Sequence, residues 1–258
     1  MLKKIKIFPL LFILALVSFI NAYAYEDTWK KVDYIIDGDT FVTEDGDYIR
    51  LLGINTPEVG RHGNAGEPFS NQARLKLTKL IFNQNVKLSF GERHKDRYGR
   101  MLAHVYKEDG VWVNNELVQE GLAHVYSFPD NRQLTRELIK TENEARANNK
   151  GMWAHPRWKT YKTVDEIPDK AIGQFNLYEG KIVNSTRVSD RIYLNFGTNW
   201  RTDFTVEIPK RYYELFKKSG INIEADYKGK KVQVRGVFKP VNGVLVTSTH
   251  PEQLTILD

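Results

Sequence analysis

Short runs alternating between apolar and polar positions, broken by Gly- and Asp-rich turns, dominate residues 32–106. Val32–Ile36 reads as a strand, and so do Thr40–Thr43 and Tyr48–Ile54, which are separated by the turn Glu44-Asp45-Gly46-Asp47. Pro68–Phe82 changes to helical spacing, with Ala73, Leu77, Leu80 and Ile81 on one face. Val86–Phe90 and Met101–Tyr106 return to strand spacing on either side of a polar turn at His94–Arg100, and Val111–Val113 follows as a short extended piece. Asn114–Gly121 predicts a second helix capped by its glycine, and Asn131–Asn149 a third, ended by Gly151.

Three strands, a helix and two strands is the order of a small closed Greek-key barrel of the OB type, here with two further helices. The same order returns near the C-terminus. Leu177–Val188, Arg191–Phe196 and Asp203–Ile208 read as strands, Pro209–Ser219 as a helix, and Lys230–Lys239 and Val244–Thr249 as strands around Asn242-Gly243. The expected fold is therefore mainly β with α (α+β): a five-stranded OB barrel with three helices, then a second OB-like barrel. Residues 25–157 form the first domain and 172–258 the second. Residues 158–171, with one Pro and mixed charge, are the linker.

The first 24 residues stand apart. Three Lys precede an apolar run, Ile7–Ile20, and Ala22-Tyr23-Ala24 follows, which is the pattern of a secretory leader cleaved after Ala24. The apolar run is shorter than the roughly 20 residues a membrane-spanning helix needs. The expected destination is the periplasm or the exterior. The chain has no Cys, so thiol redox chemistry and zinc–thiolate sites are excluded. Without the leader the formal charge falls from +6 to +3, and the excess lies in residues 172–258 at +4, against −1 for residues 25–157. That is a mild pointer to a polyanionic partner.

Three segments carry the candidate chemistry: Asp37-Gly38-Asp39-Thr40, Arg50-Leu51-Leu52-Gly53-Ile54-Asn55-Thr56-Pro57-Glu58, and Asp96-Arg97-Tyr98-Gly99-Arg100. Carboxylates suit a hard cation, a pair of guanidiniums can neutralise charge gained by phosphorus, and a Glu can handle a proton. That mixture points to phosphodiester cleavage. The six His show no paired metal-ligand spacing; His62 lies in the polar loop after Glu58.

Together with Asn114–Ala123 and the closing Gly151-Met152-Trp153, these segments resemble the staphylococcal nuclease (thermonuclease) family over residues 32–153. The resemblance implies a secreted, calcium-dependent phosphodiesterase acting on DNA and RNA. It assigns catalysis to Arg50, Glu58 and Arg100, and metal binding to Asp39, Asn55 and the Thr56 carbonyl. It places Arg97, Tyr98 and Tyr126 against substrate. Asp37 has only a turn role in this reading. Asn55 is a departure, since the family commonly has Asp there; the lost charge predicts weaker calcium binding, use of Mn2+ instead, or a silent scaffold that only binds nucleic acid or a partner. In the C-terminal part, Arg187, Arg191, Arg201, Arg211, Lys228, Lys230, Lys231 and Arg235 are interleaved with Tyr193, Phe196, Trp200 and Phe204. An OB face of that composition suits single-stranded nucleic acid, with docking to an envelope protein as the alternative. A monomer is expected.

Overall fold

The computed structural model describes residues 27–60, 63, 65–163 and 165–257; the leader, its cleavage point and His62 lie outside them. The first half contains β1 (Thr28–Ile35), β2 (Thr40–Thr43), β3 (Tyr48–Leu51), β4 (Ile54–Asn55), α1 (Ser70–Ile81), β5 (Asn85–Lys95), β6 (Met101–Lys107), α2 (Val113–Gln119), β7 (His124–Val125) and α3 (Thr135–Ala147). Strands β1, β2, β3, β6 and β5 close into a barrel in that order, with β3 and β6 parallel and the other pairs antiparallel. All four residues of β2 are buried, because closure and the covering helices leave neither face to solvent. Ala73, Leu77 and Ile81 of α1, one turn apart, enter a core with Phe41, Leu88 and Leu117.

Two expected elements shift. Val111–Val113 is not a strand: Trp112 makes one isolated bridge to Tyr106, and Val113 begins α2 with its side chain in the core. The third helix starts at Thr135 rather than Asn131. Asn131 instead clasps the long β5 strand, accepting from Arg93 N–H at 3.0 Å and donating to its carbonyl at 2.8 Å. Leu134, at φ +56, stands in the left-handed region just before Thr135, so a right-handed helix cannot run back through it to Asn131.

The second half holds β8 (Thr160–Lys162), β9 (Phe175–Lys181), β10 (Asn184–Val188), β11 (Arg191–Asn195), β12 (Phe204–Pro209), α4 (Tyr213–Lys218), α5 (Ile223–Asp226), β13 (Lys231–Val237), β14 (Val244–Thr247) and β15 (Leu254–Leu257). The strand order β10-β11-β12-β14, with β12 and β14 parallel, mirrors that of the first barrel. Closure does not follow. The strands lie in two four-stranded sheets, the second ordered β15-β13-β9-β8, and a single bridge from Lys239 to Leu245 joins the β13 end to β14. Two edge strands account for the difference: β15 pairs with β13, and β8 runs parallel to β9. Residues 160–171 contribute Tyr161 and Ala171 to a second core built around Phe196, Phe204, Phe216 and Phe238.

The halves meet across a buried ion pair. Arg235 of β13 donates from Nη2 to Oε2 of Glu142 on α3 at 2.7 Å, with side-chain exposures of 2% and 0%. The other carboxylate oxygen of Glu142 accepts from the backbone N–H of Val125 at 2.7 Å. Arg132 grips Glu252 through two hydrogen bonds of 2.8 Å, and Ser127 meets His250 Nε2 at 2.8 Å. Among the described residues no helix is long and apolar enough to cross a membrane.

Removing one member of such a pair leaves a buried charge uncompensated. Arg235→Ala should therefore cost about 3–5 kcal/mol, read as a fall in the urea midpoint of the full chain.

Three histidines are also kept neutral by burial. His124 is pushed down to about 3, and His104 and His250 to about 4. Their unfolded values lie near 6.5, so the unfolded chain binds protons that the native chain refuses. Stability is full above about pH 6.5 and falls as pH drops toward 4, by roughly 1.4 kcal/mol per histidine per pH unit. Urea midpoints measured from pH 7 to pH 5 should fall steeply; a flat profile would contradict the burial.

Candidate active site

Turns at the barrel rim and the ends of short strands present the candidate side chains. The chain leaves β1 and re-enters at β2 through Asp37-Gly38-Asp39. Gly38 is required there by contact: a Cβ at this position would lie 2.6 Å from Ala73 Cβ and 2.8 Å from Thr56 Cβ. Helix α1 and the Thr56 segment thus press the two aspartates against the barrel rim. Both are buried. Asp37 accepts from the Asp39 backbone N–H at 3.1 Å, and its carboxyl is pushed up to about 6, first by burial and then by the charge of Asp39. Asp37 therefore belongs to the site, beyond the turn role expected of it.

Asp39 is the hub. Its Oδ2 accepts from Thr56 N–H at 2.8 Å and Thr56 Oγ1 at 3.0 Å, and lies 3.0 Å from Arg50 Nη1. Its Oδ1 accepts from Thr40 Oγ1 at 3.2 Å. Arg50 projects from β3 and spans two partners, because Nη2 also donates to Asn55 Oδ1 at 2.8 Å. Asn55 in turn donates from Nδ2 to the Thr56 carbonyl at 3.1 Å. Asn55 is held in place by the short β4–β7 ladder, opposite His124.

Arg100 approaches from the other side. The turn Asp96-Arg97-Tyr98-Gly99 closes with Gly99 at φ +85, a left-handed conformation that glycine adopts without strain. Asp96 Oδ2 accepts from Arg100 Nε at 2.7 Å, while Oδ1 accepts from the N–H groups of Tyr98 and Arg100. Burial alone would raise this carboxyl, but Arg100 and the two backbone donors hold it below the usual range. Thus anchored, Arg100 reaches Thr40 Oγ1 with Nη1 at 3.3 Å. A chain of contacts runs from Arg100 through Thr40 and Asp39 to Arg50.

Asp37, Asp39, Arg50, Asn55, Glu58, Tyr98 and Arg100 line one cleft of about 670 Å³. Glu58 sits exposed on its rim, and its loop is tied down by Glu67, whose Oε2 accepts from Glu58 N–H at 3.0 Å. Arg157 braces Glu67 from the start of the second half, at 3.4 Å. Thr56 is buried under Asp39. Arg97 is exposed beside Tyr98 and donates to its hydroxyl at 2.6 Å. Tyr126 is not in this cleft; it lines a separate groove between the halves.

The oxygens of Asp37, Asp39, Asn55 and the Thr56 carbonyl form an all-oxygen donor set, and the raised Asp37 carboxyl marks negative charge crowded in a buried place. Such a set fits a hard divalent cation. Among the described residues no three His, Cys, Asp or Glu side chains converge, so amide and carbonyl oxygens would complete it. Sequence reading missed Asp96, Thr40, Glu67 and Arg157 as supporting groups. The Asp96 signal lay in its motif; Glu67 and Arg157 carried none.

In the C-terminal half the expected basic and aromatic face divides. Phe196 and Phe204 are core residues, and Arg235 is the buried partner of Glu142. Arg187 pairs with Glu224 and Arg191 with Glu207. Trp200 remains exposed, with the Arg201 guanidinium 4.4 Å from its ring centre.

A closed five-stranded barrel that presents two guanidiniums and two buried carboxylates in one cleft defines an OB-fold protein with a charged cleft at its rim. The family model described as staphylococcal nuclease homologue matches residues 48–155. The thermonuclease of Staphylococcus intermedius is 31% identical over 167 residues, covering 59% of this chain and 99% of that protein. The micrococcal nuclease of Shigella flexneri is 31% identical over 160 residues, covering 56% and 87%. The SPbeta prophage-derived endonuclease YokF of Bacillus subtilis is 36% identical over 129 residues, covering 48% and 43%. The chain belongs to the staphylococcal nuclease family.

The tight approach at Gly38 yields a check on this geometry. Gly38→Ala should force α1 and the Thr56 segment apart and cost about 1–3 kcal/mol, seen as a lower urea midpoint.

Proposed function

We propose that the protein is an exported, metal-dependent endonuclease that hydrolyses phosphodiester bonds of DNA and RNA with little sequence preference. The observation that carries this reading is the pairing of Arg50 and Arg100 in one cleft, through Asp39 and Thr40, with Glu58 on the rim. The nuclease names of the relatives support it.

In this reading Asp39, Asn55 and the Thr56 carbonyl hold calcium, with manganese as the alternative ion. When bound, such a cation supplies charge neutralisation at phosphorus and acidifies a water. Glu58 orients the attacking water and accepts its proton. Arg50 and Arg100 donate to the phosphoryl oxygens as their charge rises, which a planar fork does better than a point charge. The contacts to Asp39 and Asp96 fix both guanidiniums before substrate arrives, so little reorganisation is needed at the moment of reaction. Asn55 retains an oxygen donor but brings no charge, which lowers affinity for the cation without removing the site. Tyr98 and Arg97 guide the strand at the cleft mouth. The leader, removed after Ala24, directs the chain to the periplasm or beyond, where it acts as a monomer.

Hydrolysis of single-stranded DNA by the chain lacking residues 1–24 should require calcium and stop on addition of chelator. Arg100→Ala should lower the rate by roughly 10²–10³ with an unchanged unfolding midpoint. Near-normal cleavage by that variant would remove Arg100 from catalysis.

A further inference from the structure

A second groove, of about 520 Å³, lies where the two halves meet. The first half contributes Arg93, Tyr126 and Phe128. The second contributes Tyr212, Lys239 and Thr247, and Phe175 lies between them. None of these second-half residues falls within the part of the chain matched by the family model.

The aromatic side of the groove is held rigid. Phe128 is 45% exposed, yet its ring packs edge-on against Tyr126 at 5.1 Å. Tyr126 packs edge-on against Phe175 at 5.5 Å, and Phe175 stacks on buried His124 at 4.3 Å. A ring fixed in this way presents apolar surface without losing rotamer freedom on binding. The polar side is cationic. Lys239 is exposed, donates to Thr247 Oγ1 at 2.7 Å, and is in no ion pair among the described residues. Arg93 is exposed beside Asp130 at 3.3 Å, a solvent-facing pair that binds its charge only weakly. Among the described residues Asp130 is the one carboxylate that lines the groove, and the nearby Arg235 is already neutralised by Glu142.

The groove is tied to the cleft of Asp39 and Arg50 through the backbone, although the two share no lining residue among those described. Tyr126 N–H donates to the Gly53 carbonyl at 2.9 Å, and β7, which leads into the groove, pairs with β4, which carries Asn55. Arg93 and Asp96 lie three residues apart around the end of β5.

We propose that this groove is a second subsite for single-stranded nucleic acid. A base packs on Phe128, and backbone phosphates lie against Lys239 and Arg93, so the C-terminal half supplies one wall of the substrate path. Exposed aromatic surface beside Lys239, which is in no ion pair among the described residues, and Arg93, which is held only in a solvent-facing one, fits a single strand, whose unpaired bases need a π-face and whose backbone needs positive charge. The proposal rests on the nuclease reading for the polymer, but its test does not need cleavage.

The probe is a fluorescein-labelled 15-nucleotide thymidine oligomer, bound to the chain lacking residues 1–24 with chelator present and followed by anisotropy across a salt series. Lys239→Glu and Phe128→Ala change exposed side chains, and their unfolding midpoints should stay at that of the wild type. Each is expected to raise the Kd at least fivefold, and Lys239→Glu to make the salt dependence shallower by about 0.7 in slope, the value for one phosphate contact on a single strand. Kd and salt slope unchanged in both variants would overturn the proposal and leave the groove to a protein partner. Because chelator is present throughout, a chain that binds through the groove yet cleaves nothing when calcium is restored would sink the nuclease reading alone.

Discussion

Glu142 is the constraint on which the rest of the molecule depends. It is a fully buried carboxylate on α3, and it does two things at once. One oxygen holds the backbone N–H of Val125, and so fixes β7 against β4 and places Asn55. The other holds Arg235, which also donates to the Val125 carbonyl at 3.3 Å. A lone carboxylate would be costly to bury in that position, because desolvation would outweigh a single backbone hydrogen bond. The guanidinium that makes it tolerable comes from the second half of the chain. The two halves are therefore one energetic unit at this point, and a residue of the cleft is held in register by a strand more than a hundred residues away.

The cleft follows the same logic of paired charge. Asp39 faces Arg50, and Asp96 faces Arg100. In each pair the carboxylate limits the motion of its guanidinium. Asn55 changes this balance locally. With Asp at that position Arg50 would sit between two anions; with Asn it shares one anion and one amide oxygen. That arrangement leaves Arg50 less fully neutralised and the cleft one negative charge poorer.

The second half is not a plain copy of the first. Its strand order repeats, but β8 and β15 occupy edges that closure would need, and the sheets stay split. The consequence is a flank that packs on the first barrel through Arg132–Glu252 and Ser127–His250 and leaves the groove beside it open.

How much of this could be read beforehand divides along physical lines. The sequence by itself determined the first barrel, because alternation over four to eight residues, Gly turns and helical spacing at Ala73, Leu77 and Ile81 are local signals. It also determined the contents of the cleft, since motif residues such as Asp39 and Arg100 sit on or beside turns whose geometry is set by their own neighbours, and Arg50 sits on a strand whose alternation is local. Only tertiary structure decided the remainder. A two-residue ladder such as β4–β7 and edge strands such as β8 and β15 are too short to carry a period. Arg235 reads as a surface cation in any strand pattern, and becomes buried only when Glu142 is waiting on another element. Phe196 and Phe204 alternate as binding-face aromatics do, yet enter the core because the sheet turns that face inward. Tyr126 follows a motif of the first domain but opens onto a groove whose far wall is made by residues 212–249. Local pattern fixes which way a side chain points from its own backbone; what it meets there is set by the partner that packs against it.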